Sequence, residues 1–148
     1  MDTDYELPKH NASDEDIQQI FRSAKVIVIV GLSRNHEADS YRVASYLQEH
    51  GFRIIPVHPK VKEILSEKCY DRLEDVHEKI DVVNVFRKPE EVPGIIESAI
   101  AIGAKVVWTQ EKIVHNVAAL RAVEAGLQTV MDKCIMKEHK KYEIDISL

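Results

Sequence analysis

Ser33, Arg34, Asn35 and His36 follow directly on Gly31, which ends an unbroken run of five β-branched residues from Val26 to Val30. A hydroxyl, a guanidinium, an amide and an imidazole on one short loop are suited to holding an anion, and a glycine lets that anion approach the backbone closely. Residues of the same kind recur where later apolar runs stop. His58, Pro59 and Lys60 follow one run, Arg87 and Lys88 a second, and Gln110, Glu111 and Lys112 a third, while Arg42 lies just past the first loop. The chain has a formal net charge of −5. Basic residues at separate run ends therefore mark a local anion site, not a nucleic-acid surface.

Catalytic chemistry is less well supported. His36, His58 and His115 fall in expected loops and Cys134 follows the last apolar run, but no spacing enforces a Cys-His pair. The seven histidines and two cysteines show neither His-x-x-x-His nor Cys-x-x-Cys spacing, so no metal site is expected. The reading is of a binding protein without catalytic residues.

The elements that must position these residues alternate. Ser13 caps a lead-in helix with an acidic first turn, and Ile17, Ile20, Phe21 and Ala24 recur on one face. The run Val26–Val30, without polar alternation, fits a strand covered on both faces. Tyr41 to His50 reads as a helix with Val43, Ala44 and Leu47 inward, and Phe52 to Val57 as the second strand. Lys68-Cys69-Tyr70 gives a very short third strand, and Ile80 to Phe86 a fourth. Pro89 opens a helix striped by Val92, Ile95, Ile96, Ala99 and Ile100. Lys105 to Gln110 is the fifth strand. Asn116 caps a helix carrying Val117, Leu120 and Val123, and Leu127 to Met131 is the sixth strand. Alternation of this kind predicts a doubly wound parallel sheet in three layers, α/β/α, with strand order 3-2-1-4-5-6. Its switch-point crevice lies between Gly31 and the end of the fourth strand at Phe86 and Arg87. Residues 1–12 are expected to be a loose N-terminal segment, 13–138 the domain, and 139–148 a tail.

The loop narrows the anion. A dinucleotide fingerprint needs Gly-x-Gly-x-x-Gly after the first strand and an acidic residue after the second. Here there is Gly31 alone, and the second strand ends in His58-Pro59-Lys60. A lysine suits a phosphorylated ribose, which leaves NADP and the 3′-phosphorylated ADP of coenzyme A. No Gly-Lys-Ser/Thr follows Gly31, so a Walker loop is excluded.

Several ordered motifs carry a resemblance. Val30-Gly31-Leu32-Ser33, Ser40-Tyr41-Arg42-Val-Ala, Ile55-Pro-Val-His-Pro59-Lys60 and Lys68-Cys-Tyr70 resemble the small stand-alone CoA-binding proteins of bacteria and archaea. Asp81-Val-Val-Asn-Val-Phe-Arg87, Ile102-Gly-Ala-Lys-Val-Val-Trp108 and Val130-Met-Asp-Lys-Cys134 do likewise. Those proteins are similar to the N-terminal domain of the succinyl-CoA synthetase α subunit. The resemblance covers about residues 15 to 138 and implies a Rossmann-like CoA-binding domain. It places Gly31, Leu32, Ser33, Arg34, Ser40, Tyr41 and Arg42 about the phosphates, and His58, Pro59 and Lys60 toward the adenosine. Phe86, Arg87 and Gln110 then fall along the phosphates and pantetheine. The family commonly has Asn at His58, and Leu-Gly at Glu111-Lys112. The function implied is non-catalytic binding of CoA or acyl-CoA by its 3′-phospho-ADP moiety. The alternative is a small NADP-dependent or acyl-thioester-processing enzyme using the same crevice.

Length and composition bound the rest. With 148 residues, 45% of them hydrophobic and 30% charged, the chain suits one domain burying roughly two-thirds of its unfolded surface. No apolar run approaches the ~20 residues that span a bilayer. An acidic N-terminus without an export signal points to the cytoplasm, and Cys69 and Cys134 are read as reduced thiols. A homodimer is plausible for a small doubly wound protein. Acyl group, pathway and protein partner are not written in the sequence.

Overall fold

The computed structural model describes residues 6–146. Five strands form one parallel sheet: β1 (Val26–Val30), β2 (Arg53–Val57), β5 (Val82–Val85), β6 (Val106–Thr109) and β7 (Gln128–Val130), in the order β2-β1-β5-β6-β7. Val28 stands opposite Ile55 on one side and Val83 on the other. Burial on both faces is why these strands read as continuous branched runs. Helices α1 (Asp14–Ser23), α2 (Asp39–Glu49) and α5 (Ile135–Ile146) cover one face, and α3 (Val92–Ala101) and α4 (Asn116–Glu124) the other. The result is the expected three-layer Rossmann-like fold.

The third strand of the expected order shrinks to a single bridge. Tyr70 lies parallel to Val57, its N–H donating to Pro56 O at 3.0 Å and its carbonyl accepting from His58 N at 2.9 Å. It sits beside β2, where a third strand belongs, but the chain does not continue along the sheet. A two-stranded hairpin, β3 (Glu63–Ile64) with β4 (Glu67–Lys68), diverts it. Leu65 and Ser66 at its tip both take positive φ, +54° and +61°, as a tight hairpin turn demands.

The N-terminal stretch expected to lie loose and the expected C-terminal tail are both packed where they are described, positions 147–148 lying outside the described residues. Residues 6–12 run along edge strand β7: Ala12 N donates to Thr129 O at 2.8 Å, and the Asn11 amide brackets Met131, donating to its carbonyl and accepting from its N–H. This strap occupies ladder groups that the edge strand would otherwise leave open. Residues 1–5 lie outside the described residues. At the other end, residues 139–146 continue α5, with His139 and Tyr142 buried. Tyr46 Oη and His139 Nδ1 share a 2.7 Å hydrogen bond, and the imidazole sits edge-on to Phe21 and Phe52. Lysine-rich composition hid an apolar face at this helix.

Helix α4 also differs from expectation. His115, not Asn116, is its cap, Nδ1 accepting from Ala118 N at 3.1 Å. Asn116 is buried and holds the strap, accepting from Lys9 N and donating to Leu7 O. The face turned to the sheet is Ala118, Ala119 and Ala122; Val117, Leu120 and Val123 point outward.

Candidate functional site

Gly31 is where β1 ends and the chain leaves the sheet. Its φ is +88°, a backbone conformation open chiefly to glycine. A Cβ at this position would lie 2.6 Å from Phe86 O and 2.8 Å from Arg87 Cδ. The bend is therefore pressed against the end of β5 at the switch point. Leu32 next anchors the loop by full burial in the layer of α1, α2 and α5; only its backbone is left for a ligand. The loop then bonds to itself. Ser33 N donates to Ser40 Oγ at 3.0 Å, Ser33 Oγ accepts from Asn35 N at 3.0 Å, and Asn35 Oδ1 accepts from Glu37 N at 2.9 Å. Ala38, the residue before α2, offers no side-chain cap, so the first amides of that helix are left to solvent or a ligand. Ser40 is buried, and Tyr41 stacks on His36 with ring centroids 4.3 Å apart.

The remaining expected residues fall along the same crest, in the order of the strands. At the end of β2, His58 Nδ1 lies 2.7 Å from Pro59 O, and Lys60 takes φ +68° with its N–H 3.4 Å from Asp71 Oδ1. At the end of β5, Phe86 is half-buried and Arg87 lies across Gly31. At the end of β6, Gln110 carries an Oε1 that is shielded from solvent and has no hydrogen-bond partner. From β2 to β6 is three strand spacings, roughly 14 Å. An extended ligand can lie over the whole row.

One cavity reaches the Gly31 bend and a second opens elsewhere along the crest. The larger, about 550 Å³, opens toward α3; Val30, Val57, Leu73 and Ile95 give it an apolar floor. Asp71, Glu74, Glu90 and Glu91 stand on its rim, beside Pro59 and Arg72. Sequence reasoning missed this wall, because Asp71 to Glu74 follows the short bridge strand and the contribution of α3 depends on how that helix docks. The smaller cavity, about 180 Å³, lies at the start of α2 and α5 and is lined by Arg42, Gln110, Glu111, Cys134 and Lys137.

The rim is less positive than its residue types suggest. Arg42 pairs with Asp39, and Arg87 donates to Glu91 Oε1 from Nε and Nη2 at 3.1 and 3.0 Å. Lys137 pairs with Glu111 at 3.0 Å. Among the described residues, Arg34, Lys60 and Lys88 have no ion-pair partner. Exposed pairs of this kind are weak and exchange partners readily. They lower the field that an arriving anion meets without blocking the site.

The loop histidines and Cys69 have structural places. His36 stacks on Tyr41, His58 bonds Pro59, and His115 caps α4. The Cys69 thiol lies 3.5 Å from His58 O, and burial pushes its pKa up, which disfavours the thiolate a nucleophile needs. Among the described residues no three His, Cys, Asp or Glu side chains come together as a metal site.

The glutamine turn explains one departure from the resembling family. Lys112 takes φ +66°, the conformation a glycine would adopt there, and its N–H donates to Asp132 Oδ1 at 2.6 Å. Asp132 itself has φ +63°. The turn is kept, with a charged residue in it.

Comparison with known proteins gives consistent results. The pattern of a family described as the CoA binding domain matches residues 25–140. The uncharacterized protein YneT of Bacillus subtilis is 36% identical over 129 residues, 87% of this chain and 96% of that protein. An ADP-forming acetate–CoA ligase of Methanocaldococcus jannaschii is 30% identical over 81 residues, which are 55% of this chain but 12% of the ligase. A solved structure of a hypothetical protein from Pyrococcus horikoshii superposes with a TM-score of 0.86 at 41% identity, covering 95% of this chain and 98% of that one.

Proposed function

The chain belongs to the CoA binding domain family, and on that premise we propose that it is a non-catalytic holder of coenzyme A or a short acyl-CoA. The observation that carries this is the Gly31 bend. It brings bare backbone to the crest at the switch point, beside the uncapped start of α2 and under the Arg87 side chain. A diphosphate on that bend accepts from the α2 amides and from Arg34. The larger cavity takes the adenine end over Val57 and Leu73, and Lys60 faces the ribose 3′-phosphate. Pantetheine then runs past Phe86 and Arg87 toward Gln110. The crest supplies cations and hydrogen-bond donors, and its histidines are engaged in structural contacts, so the chemistry supported is binding and presentation to a partner.

Calorimetric titration with CoA, dephospho-CoA and NADP tests the reading. CoA is expected to bind, with dephospho-CoA weaker by about tenfold for the loss of one charge-assisted contact. Equal affinity for the two, or a preference for NADP, overturns it.

A further inference from the structure

Helix α4 carries its larger apolar side chains on the wrong side for a protein that works alone. Val117, Leu120 and Val123 are 76%, 44% and 42% exposed, while the alanines of the helix pack inward. Positions three apart form one stripe along a helix. Leu7, 72% exposed, is tied to the same end because Asn116 Nδ2 donates to its carbonyl at 2.8 Å. Of the five large apolar side chains exposed among the described residues, four gather here. Beside the stripe, α3 and α4 leave a groove of about 410 Å³ lined by Pro93, Gly94, Ile96, Val117 and Ala118. Gly94 leaves its lip bare: a Cβ built there meets nothing within 4 Å. Contiguous exposed apolar surface beside a groove is a feature of interaction sites.

We propose that this face binds a second copy of the chain, the α4 ridge of each molecule entering the α3–α4 groove of the other about a two-fold axis near Leu120. A ridge and a groove side by side are complementary to their own image under a two-fold, because each surface then meets the other twice. The charges fit the same occupant. Glu97 and Arg121 close one wall of the groove, paired through two hydrogen bonds of 2.9 and 3.1 Å. The groove wall is thus neutral although the chain carries −5. Under the two-fold, Arg121 of each copy approaches Glu97 of the other, so the pairs exchange partners without stranding a charge. The stripe lies on the outer side of the α3–α4 layer, which leaves the crest around Gly31 open in the pair.

Sedimentation velocity over a concentration series tests the proposal on the intact chain. A monomer–dimer equilibrium is expected, and the double variant Val117→Glu/Leu120→Glu is expected to stay monomeric with an unchanged circular dichroism spectrum. Leu120→Cys is expected to give a disulfide-linked dimer under added oxidant, since that residue sits nearest the axis and both native cysteines are buried. A monomer at the highest soluble concentration, including one that associates only when another protein is added, overturns the proposal. So does a dimer that survives the double variant. CoA affinity of the double variant is expected to match the parent, so loss of CoA binding in the parent bears on the crest alone.

Discussion

Replacing Gly31 by alanine tests the bend on which the binding reading rests, and Gly126 supplies the control. Both glycines have positive φ, +88° and +93°, so an alanine at either must adopt a conformation that costs a non-glycine residue roughly 1–2 kcal/mol. They differ in surroundings. At Gly126 an added Cβ meets nothing within 4 Å, whereas at Gly31 it falls 2.6 Å from Phe86 O and 3.2 Å from Phe86 C. That carbonyl cannot step aside easily. Phe86 N donates to Val30 O at 2.9 Å and Gly31 N to Val57 O at 2.9 Å, so retreat pulls on three strands together. Overpacking against such a wall adds about 1–3 kcal/mol. Gly126→Ala is therefore expected to lower unfolding free energy by about 1–2 kcal/mol, and Gly31→Ala by about 2–5 kcal/mol, in urea denaturation followed by circular dichroism. The clash is read as the difference between the variants. Gly31→Ala is also expected to abolish calorimetric binding of CoA, while Gly126→Ala keeps it. Equal destabilisation by the two, or parent-like CoA affinity in Gly31→Ala, refutes the reasoning.

Other consequences are checked more simply. Arg34→Ala removes a cation without an ion-pair partner among the described residues and is expected to weaken CoA binding roughly tenfold, with urea stability unchanged; unaltered affinity removes Arg34 from the site. Lys112→Gly relieves a positive φ of +66° and is expected to raise stability by about 0.5–1 kcal/mol, a gain that a lowered urea midpoint would deny. Burial, reinforced by nearby His50 and opposed by Glu143, holds the His139 imidazole below its ordinary pKa. The neutral ring is thus favoured in the folded state, so this contribution is complete above about pH 6.5 and declines as pH falls below it. His139→Phe is expected to flatten the fall in thermal midpoint between pH 7.5 and 5.5, and an unchanged slope would show that His139 is not its source.

The sheet was legible because its strands are buried on both faces, which forces continuous branched runs, with Gly31 closing β1 and Gly51, Gly103 and Gly126 lying just past α2, α3 and α4. Where a packing decision depends on tertiary contact, the sequence pattern misleads. The stripe Val117, Leu120, Val123 has the spacing of a core face, and the alanines between have it too. The alanines win because α4 docks close against β7 and α3, where small side chains fit. The third strand failed for another reason. Lys68-Cys69-Tyr70 has strand-like residues, but the hairpin turn at Leu65 and Ser66 spends the chain needed to extend it, and only Tyr70 reaches β2. The strap and the last helix turns are polar by composition, and their order comes from specific partners: Asn11 with Met131, and His139 with Tyr46.

At the site, position was easier to read than charge. A glycine after a branched run fixes where a bend must lie, since no other residue takes φ near +90° at so small a cost. Residue types at strand ends do not fix a field, because each cation's reach depends on which carboxylate folds beside it. Arg87 shows this: sequence puts it at the crevice, and the helical turn after Pro89 delivers Glu91 to it. With Arg42 and Lys137 similarly paired, electrostatic attraction at the crest rests on few residues, chiefly Arg34, Lys60 and the start of α2. Recognition must then lean on shape. A roughly 14 Å row of strand ends, a bare glycine at its centre and an apolar-floored cavity at one side select for an extended nucleotide conjugate over a compact anion, which would meet the partly neutralised rim without the contacts that repay it.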